Sequence, residues 1–198
     1  MGVNLQKGQK VDLTKGNAKL STLMVGLGWD EAEGPAGKGL FGKIFKWNID
    51  CDASVLVLTD GKLESDSDLV YFANKKHKSG AIVHQGDNLT GGSDGDDEQI
   101  KVDLDKLPAN CDKLVFVVNI FMAKTKKQHF GMVNNAFIRI VNDQTGEELC
   151  KYNLSENYDN MTAMIFGEVY RHENEWKFSA IGEATKDPGL RELAAGYS

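Results

Sequence analysis

The chain has 198 residues, of which 41% are hydrophobic and 26% charged, a composition typical of a folded globular protein. It contains 29 acidic and 23 basic residues, which gives a formal net charge of -6 at pH 7. Because proteins that bind phosphate backbones present a basic surface, this balance argues against nucleic acid as a partner. We expect one domain over residues 1–198.

The cysteines and the apolar segments indicate the compartment. Cys51, Cys111 and Cys150 are widely spaced and form no CxxC pair, so neither a disulfide framework nor a zinc knuckle is predicted. The first residues, MGVNLQKGQKVDL, lack the apolar core of a signal peptide, and the longest apolar run, 114–123, is too short to span a bilayer. The sequence therefore predicts a cytoplasmic protein without a transmembrane segment.

In chain order, strand-length runs of alternating or β-branched residues recur along the sequence. They cover residues 19–27, 53–59, 68–73, 99–107, 113–121 and 136–142. In the fourth run, Ile100, Val102 and Leu104 alternate with polar residues, which is the period of a half-buried strand. The spacing of the runs favours antiparallel strands over alternating strand and helix units. We predict a mainly β protein, a β-sandwich of two antiparallel sheets with a few short helices.

Turn residues separate these runs. Asp60-Gly61 and Thr145-Gly146 are turn dipeptides, and residues 172–175 are predicted to connect a hairpin between MTAMIFGEVYR and WKFSAIGEA. The segment PGLRELAAGY near the end has proline at its start and glycine at its end, which favours a helix.

The stretch QGDNLTGGSDGDDEQ, residues 85–99, holds five carboxylates and no basic side chain. Two carboxylates about 6 Å apart repel by roughly 3 kcal/mol at an effective dielectric of about 20, so an ordered loop of this composition requires a cation. Calcium is bound by about six to eight oxygens from acids, amides and backbone carbonyls. The stretch therefore predicts a Ca²⁺ site, with these candidate ligands: Asp87, Asn88, Asp94, Asp96, Asp97 and Glu98.

An EF-hand is rejected because Gln99 stands where the loop that begins at Asp94 requires glycine, and because a strand follows. Asp50 and Asp52, just before a strand, and Asp30, at the end of another, are candidates to complete the shell. A solvated acidic loop without a metal is the alternative. Mg²⁺ uses the same oxygens, and the sequence fits one ion or two.

An ordered series of motifs in the chain resembles the TerD family of tellurite-resistance and general stress proteins. The motifs cover nearly the whole chain: VGLGWD, DCDAS, GDNLTGGSDGDDE, DKLVFVVNI, AFIRIVN and FGEVYRHENEWKFSAIG. The resemblance implies a calcium-binding β-sandwich of the bacterial cytoplasm that is not an enzyme and acts with other stress or tellurite-resistance proteins. It places metal ligation on the acidic stretch, on Asp50 and Asp52, and on Asp30.

Two alternative functions stay open. Residues 37–44, GKGLFGKI, match the spacing of a phosphate-binding loop with Lys43 as its lysine, but Ile44 replaces the required hydroxyl residue. One alternative is therefore a metal-dependent protein that binds a phosphorylated small molecule or acts on it as an enzyme. The other is a calcium-dependent adaptor at a membrane surface. The four histidines form no zinc motif, and no nucleophile has a recognisable base partner.

Overall fold

The computed structural model describes residues 2–17, 19–31, 49–87, 95–154 and 156–198, with backbone only at Glu31 and Asp87. Twelve strands lie within these residues. They are β1 (Val3–Leu5), β2 (Lys10–Asp12), β3 (Thr22–Glu31), β4 (Cys51–Thr59), β5 (Leu69–Val70), β6 (Ile82–Asp87), β7 (Glu98–Asp103), β8 (Cys111–Ile120), β9 (Val133–Asn142), β10 (Glu148–Asn153), β11 (Ala163–His172) and β12 (Glu175–Thr185). Two short helices are α1 (Ala123–Lys126) and α2 (Leu190–Ala194), and 3-10 turns add Asp66–Asp68, Leu104–Lys106, Phe130–Met132 and Ala195–Tyr197.

The strands form two six-stranded sheets. Sheet A has the order β1-β10-β9-β3-β7-β6, and sheet B has the order β2-β12-β11-β8-β4-β5. The pairs are antiparallel except for β1 with β10, which run parallel. The predicted β-sandwich with few short helices is confirmed.

The core lies between the sheets because side chains alternate along each strand. On β4, Cys51, Ala53, Val55 and Val57 face sheet A and join the main core. Leu56 and Leu58 point the other way, where α2 and the chain after it cover the outer face of sheet B through Leu193 and Ala194. Both faces of the central strands β4 and β8 are therefore buried, which explains their continuous apolar runs.

The predicted turns account for several connections. Glu173 and Asn174 have φ of 52° and 64°, the positive pair of a type I′ turn, and they join β11 to β12 as predicted. Asp60 and Gly61 show the same pair, φ 50° and 75°. The predicted C-terminal helix is confirmed as α2 and the 3-10 turn after it.

The strand predicted over 68–73 is largely wrong. Only Leu69–Val70 pairs with β4, because a 3-10 turn precedes it and the chain turns back through a Tyr71 to Asn74 bridge. The strands β1, β2, β6 and β10 were not among the predicted runs. In the described residues, neither helix combines the length and apolar character needed to cross a membrane.

Candidate metal site

Residues 95–98 of the acidic stretch lie where the two sheets meet at one end of the sandwich. Glu98 begins β7 and pairs with Leu27 of β3 and with Asp87 of β6. Its carboxylate crosses to sheet B and accepts a 2.8 Å hydrogen bond from the backbone N–H of Ala53 on β4. The beginning of β4 and the acidic stretch, which are distant in sequence, are thereby brought to the same end of the fold.

Glu98 is buried and bound to the protein. Besides Ala53, it has His84 Nε2 at 3.1 Å from its Oε2, and that nitrogen also lies 3.1 Å from the Ala53 carbonyl oxygen. In the neutral ring Nδ1 accepts the N–H of Gly86, so Nε2 carries the proton. Burial lowers the pKa of His84, but the hydrogen bond and charge of Glu98 outweigh this and hold it above the usual value. Glu98 thus joins three strands.

Asp96 lies on the outer face of sheet A and is also paired. Its side chain is 1% exposed and receives two hydrogen bonds from Arg139 on β9, Nε to Oδ1 at 2.7 Å and Nη2 to Oδ2 at 3.0 Å. Gln99 Nε2 donates a third at 2.9 Å. Glycine is required at position 26 of β3 because a Cβ there would collide with the Asp96 carboxyl group. Asp96 therefore anchors the stretch to the sheet.

Asp97 and Asp30 are acidic neighbours at the end of β3, Asp97 half-buried and Asp30 exposed. The Asp97 backbone N–H donates to Leu27, and its Oδ2 accepts the N–H of Trp29 at 2.7 Å, which fixes it beside the end of β3. Burial raises the pKa of Asp97, and the nearby charges of Asp30 and Asp96 add to the rise. Asp30 is exposed and accepts a 2.7 Å hydrogen bond from Asn135 Nδ2. Burial and the neighbouring acids together disfavour the ionised form of Asp97 more than the Trp29 N–H favours it.

Asp50 and Asp52 lie at the start of β4, but Asp52 lies on the opposite face from Glu98. Asp52 pairs in register with Asn119 of β8 and shares the outer face of sheet B with Ser54 and Leu56. Asp50 is exposed and lies 3.8 Å from Lys126. The structure therefore brings Asp50 and Asp52 to the same end of the sandwich as Glu98, with Asp52 on the opposite face of β4.

The remaining predicted ligands and the predicted phosphate-binding loop lie largely outside the described residues. The backbone of Asp87 ends β6 opposite Glu98, whereas Asn88, Asp94 and the residues between Gly37 and Trp47 lie outside the described residues. Within the described part of the chain, no group of three or more histidine, cysteine or acidic side chains is placed to hold a metal ion. The described residues by themselves therefore supply no complete metal site.

Sequence reasoning missed the residues that anchor the acidic stretch. Arg139 is the outward-facing member of an alternating strand, and only its register against Gly26 places it over Asp96. His84 belongs to no recognisable metal motif, yet it lies within hydrogen-bond distance of both Glu98 and the Ala53 carbonyl oxygen of sheet B. The sequence carried one usable signal. In VGLG, glycine alternates with apolar residues, which marks a strand face that another part of the protein approaches closely.

A hydrogen-bonded chain of Asp68, His77 and Ser79 has the composition of a hydrolase triad. His77 Nε2 lies 3.1 Å from Asp68 Oδ1, and its Nδ1 lies 2.7 Å from Ser79 Oγ. The serine is two residues from the histidine in one tight turn, where its Oγ also accepts the N–H of Ala81. These bonds satisfy the buried polar groups of the turn, so the geometry favours a structural role.

The three cysteines are free and buried. Burial raises the pKa of Cys111 to about 11 and of Cys150 to about 12. Burial also raises the pKa of Cys51, and the charges of Asp52, Glu98, Asp50 and Asp97 raise it further. Thiols in this state are poor nucleophiles at neutral pH, since the thiolate is the reactive form.

The fold and this end of the molecule define a two-sheet β-sandwich with an acidic, oxygen-rich edge. The TerD domain model matches residues 1–197. Stress response protein SCP2 of Bacillus subtilis (strain 168) is 53% identical over the full length of both chains. Tellurium resistance protein TerD of Serratia marcescens is 42% identical over all of this chain and 97% of its own. The chain belongs to the TerD family.

The solved structures support the same architecture. A homologue of telluride resistance protein (TerD) from Streptomyces coelicolor A3(2) superposes with a TM-score of 0.60 at 18% identity, over 85% of this chain and 92% of that one. At this identity the likeness shows the fold.

Proposed function

We propose that this TerD-family stress and tellurite-resistance protein is a non-enzymatic cytoplasmic component that binds Ca²⁺ at the acidic end of its sandwich. Bound calcium would order the acidic surface on which other stress or tellurite-resistance proteins dock. Two similar proteins carry stress-response and tellurium-resistance names, which supports the biological setting. The buried, protonated thiols support a role without thiol chemistry on tellurite.

Within this proposal the carboxylates divide into two groups. Asp30 and Asp97 would contribute ligand oxygens, together with Asp87, Asn88 and Asp94 of the acidic stretch. Asp96 and Glu98 hold the chain in place through Arg139 and Ala53, so their main contribution is to fix where Asp97 lies. Carboxylate and amide oxygens are the donors that calcium prefers.

The observation that carries the proposal is the position of Asp97. Its carboxylate is fixed by the Trp29 N–H, while burial first and the charges of Asp30 and Asp96 second disfavour its ionised form. Within the described residues, no positively charged side chain is within salt-bridge distance of Asp97 or Asp30. A divalent cation would remove this repulsion.

Thermal unfolding with and without Ca²⁺ tests the proposal. After treatment with chelator, calcium at a hundredfold excess over its Kd should stabilise the fold by about 2.7 kcal/mol. For a chain of this size that corresponds to a rise in Tm of about 5 to 10 °C. The same titration with Mg²⁺ distinguishes the ions. The absence of both a Tm rise at millimolar calcium and a binding signal in calorimetry would refute the proposal.

Two variants locate the site. Asp97→Asn should leave the chelator-treated protein at least as stable, because an ionised group with a raised pKa is removed, and should reduce the calcium-induced rise in Tm. Asp105→Asn is the matched control, since Asp105 is exposed and follows β7 at the opposite end of the sandwich. An undiminished calcium response in Asp97→Asn would show that the ion binds elsewhere.

A further inference from the structure

A cleft lies on the outer face of sheet B, away from the acidic edge of sheet A. Its floor is formed by Asp52 and Ser54 of β4 with Asn119 of β8, and α2 forms one wall. The turn that follows β8 and residues near β5 complete the walls. The cleft volume is about 570 Å³, within the usual range of about 300 to 1,000 Å³ for sites that bind small organic molecules. We call it the outer cleft.

Two polar atoms in this floor have no hydrogen-bond partner within the part of the chain that the structure describes. Ser54 is 1% exposed and Asn119 is 7% exposed, and neither Ser54 Oγ nor Asn119 Oδ1 has a hydrogen-bond partner among the described residues. The register pairs Ser54 with Val117 and Asp52 with Asn119, so the two side chains are diagonal neighbours on one face. Buried polar atoms are rarely left without a hydrogen bond. Two such atoms side by side in one cleft floor therefore indicate that a bound molecule supplies their partner.

The rim of the outer cleft is unusually apolar for a protein surface. Among the described residues four large hydrophobic side chains are exposed, and three of them line this cleft: Phe72 (51%), Phe121 (42%) and Met122 (49%). Single exposed apolar residues are ordinary, but a contiguous group around a cavity is typical of a binding site. The rim therefore fits the apolar body of a ligand.

The charges around the cleft select the polar group of that ligand. Asp52, Asp66 and Glu192 are acidic lining residues, and Arg191 is a basic one. We propose that the outer cleft binds a small amphipathic amine, whose ammonium group donates hydrogen bonds to Asn119 and Ser54 while its apolar body packs against Phe72, Phe121 and Met122. An ammonium group is a donor with no acceptor, which matches a floor that supplies oxygen atoms.

Three matched probes test this site: 4-phenylbutylamine, 4-phenylbutanol and sodium 4-phenylbutyrate, which each carry a phenyl group on a four-carbon chain and differ in the polar group at its end. Each is titrated into the full ¹⁵N-labelled chain in chelator, so that calcium does not contribute. The amine should cause saturable shifts at the amides of Ser54, Asn119 and residues 190–194. The carboxylate should bind at least about tenfold more weakly, because it meets a mainly acidic lining.

Two variants assign the contacts. Ser54→Ala and Asn119→Leu each remove an unpaired buried polar atom, so each protein should remain as stable as the parent or more so. Amine binding should nevertheless fall by about tenfold in Asn119→Leu, and the preference for amine over alcohol should decrease in both. Ser179→Ala is the control, since Ser179 is buried in the same sheet but does not line the cleft.

The outcomes decide the proposal. Saturable, amine-selective shifts that weaken in the two floor variants and persist in Ser179→Ala would support it. Equal binding of amine and carboxylate, shifts confined to another surface, or undiminished binding in both Ser54→Ala and Asn119→Leu would overturn it. If Asn119→Leu does not fold, Ser54→Ala alone decides the assignment of the floor. None of these results depends on calcium binding, so this proposal and the proposed function fail separately.

Discussion

Replacing Arg139 with methionine should destabilise the protein because it leaves the Asp96 carboxylate buried without its charged partner. Breaking a fully buried ion pair costs about 3 to 5 kcal/mol, whereas an exposed pair contributes about 0 to 1 kcal/mol. Here Asp96 is 1% exposed and Arg139 is 32% exposed, and the Gln99 amide remains as a donor. We therefore expect a loss of about 2 to 3 kcal/mol, intermediate between the two limits.

Urea unfolding in chelator, followed by tryptophan fluorescence, measures this loss. A double-mutant cycle with Asp96→Asn isolates the pair, since the double variant buries no carboxylate charge at this position and should recover part of the stability. Lys101→Met is the control: Lys101 pairs with Asp143 across 2.5 Å, but its side chain is 44% exposed, so it should cost less than about 1 kcal/mol. If Arg139→Met costs no more than Lys101→Met, then Arg139 does not anchor the acidic stretch.

Two further predictions concern Asp68 and the cysteines. Burial raises the pKa of Asp68, but hydrogen bonds from Lys78, His77 and Ser65 outweigh it and leave the pKa lowered. Its charge therefore stabilises the fold above about pH 4, and this stabilisation is lost as pH falls through the folded-state pKa. The difference in free energy of unfolding between the parent and Asp68→Asn, measured by urea titration, should therefore narrow below about pH 4. A constant gap would contradict this. The native protein should also resist alkylation of all three thiols at pH 8 and react after unfolding, and rapid native labelling would disprove their burial.

The sandwich was predictable because its elements carry local signals. The runs that became β4 and β8 are apolar on both faces, as expected for strands with core on one side and a helical cover on the other. The hairpin at Glu173 and Asn174 was marked by polar residues between two alternating segments. By contrast, β1 and β2 have three residues each, and their positions at sheet edges come from pairing with distant strands rather than from a pattern of their own.

The candidate site was only partly predictable for a related reason. The sequence located the carboxylates, but it could not distinguish an acid that is bound by the protein from one that is available to an ion. That difference depends on register: Arg139 reaches Asp96 because β9 and β7 flank β3 at Gly26. Strand alternation in turn sends Asp52 to the outer face while Glu98 points inward to Ala53. Both the Arg139–Asp96 contact and the direction of the Asp52 side chain depend on how the strands pair in the assembled sheets.

The division between anchored and available carboxylates affects how strongly calcium could bind. Asp96 and Glu98 fix the end of the acidic stretch without an ion, and the pairing of Asp87 with Glu98 fixes its beginning. Calcium would then bind a segment whose two ends are already fixed, and the entropy cost of closing a short chain segment is smaller than that of ordering a free one. It follows that weakening an anchor should lower calcium affinity even though the anchor binds no ion. Arg139→Met provides this comparison, because it removes the anchor and none of the candidate ligand oxygens.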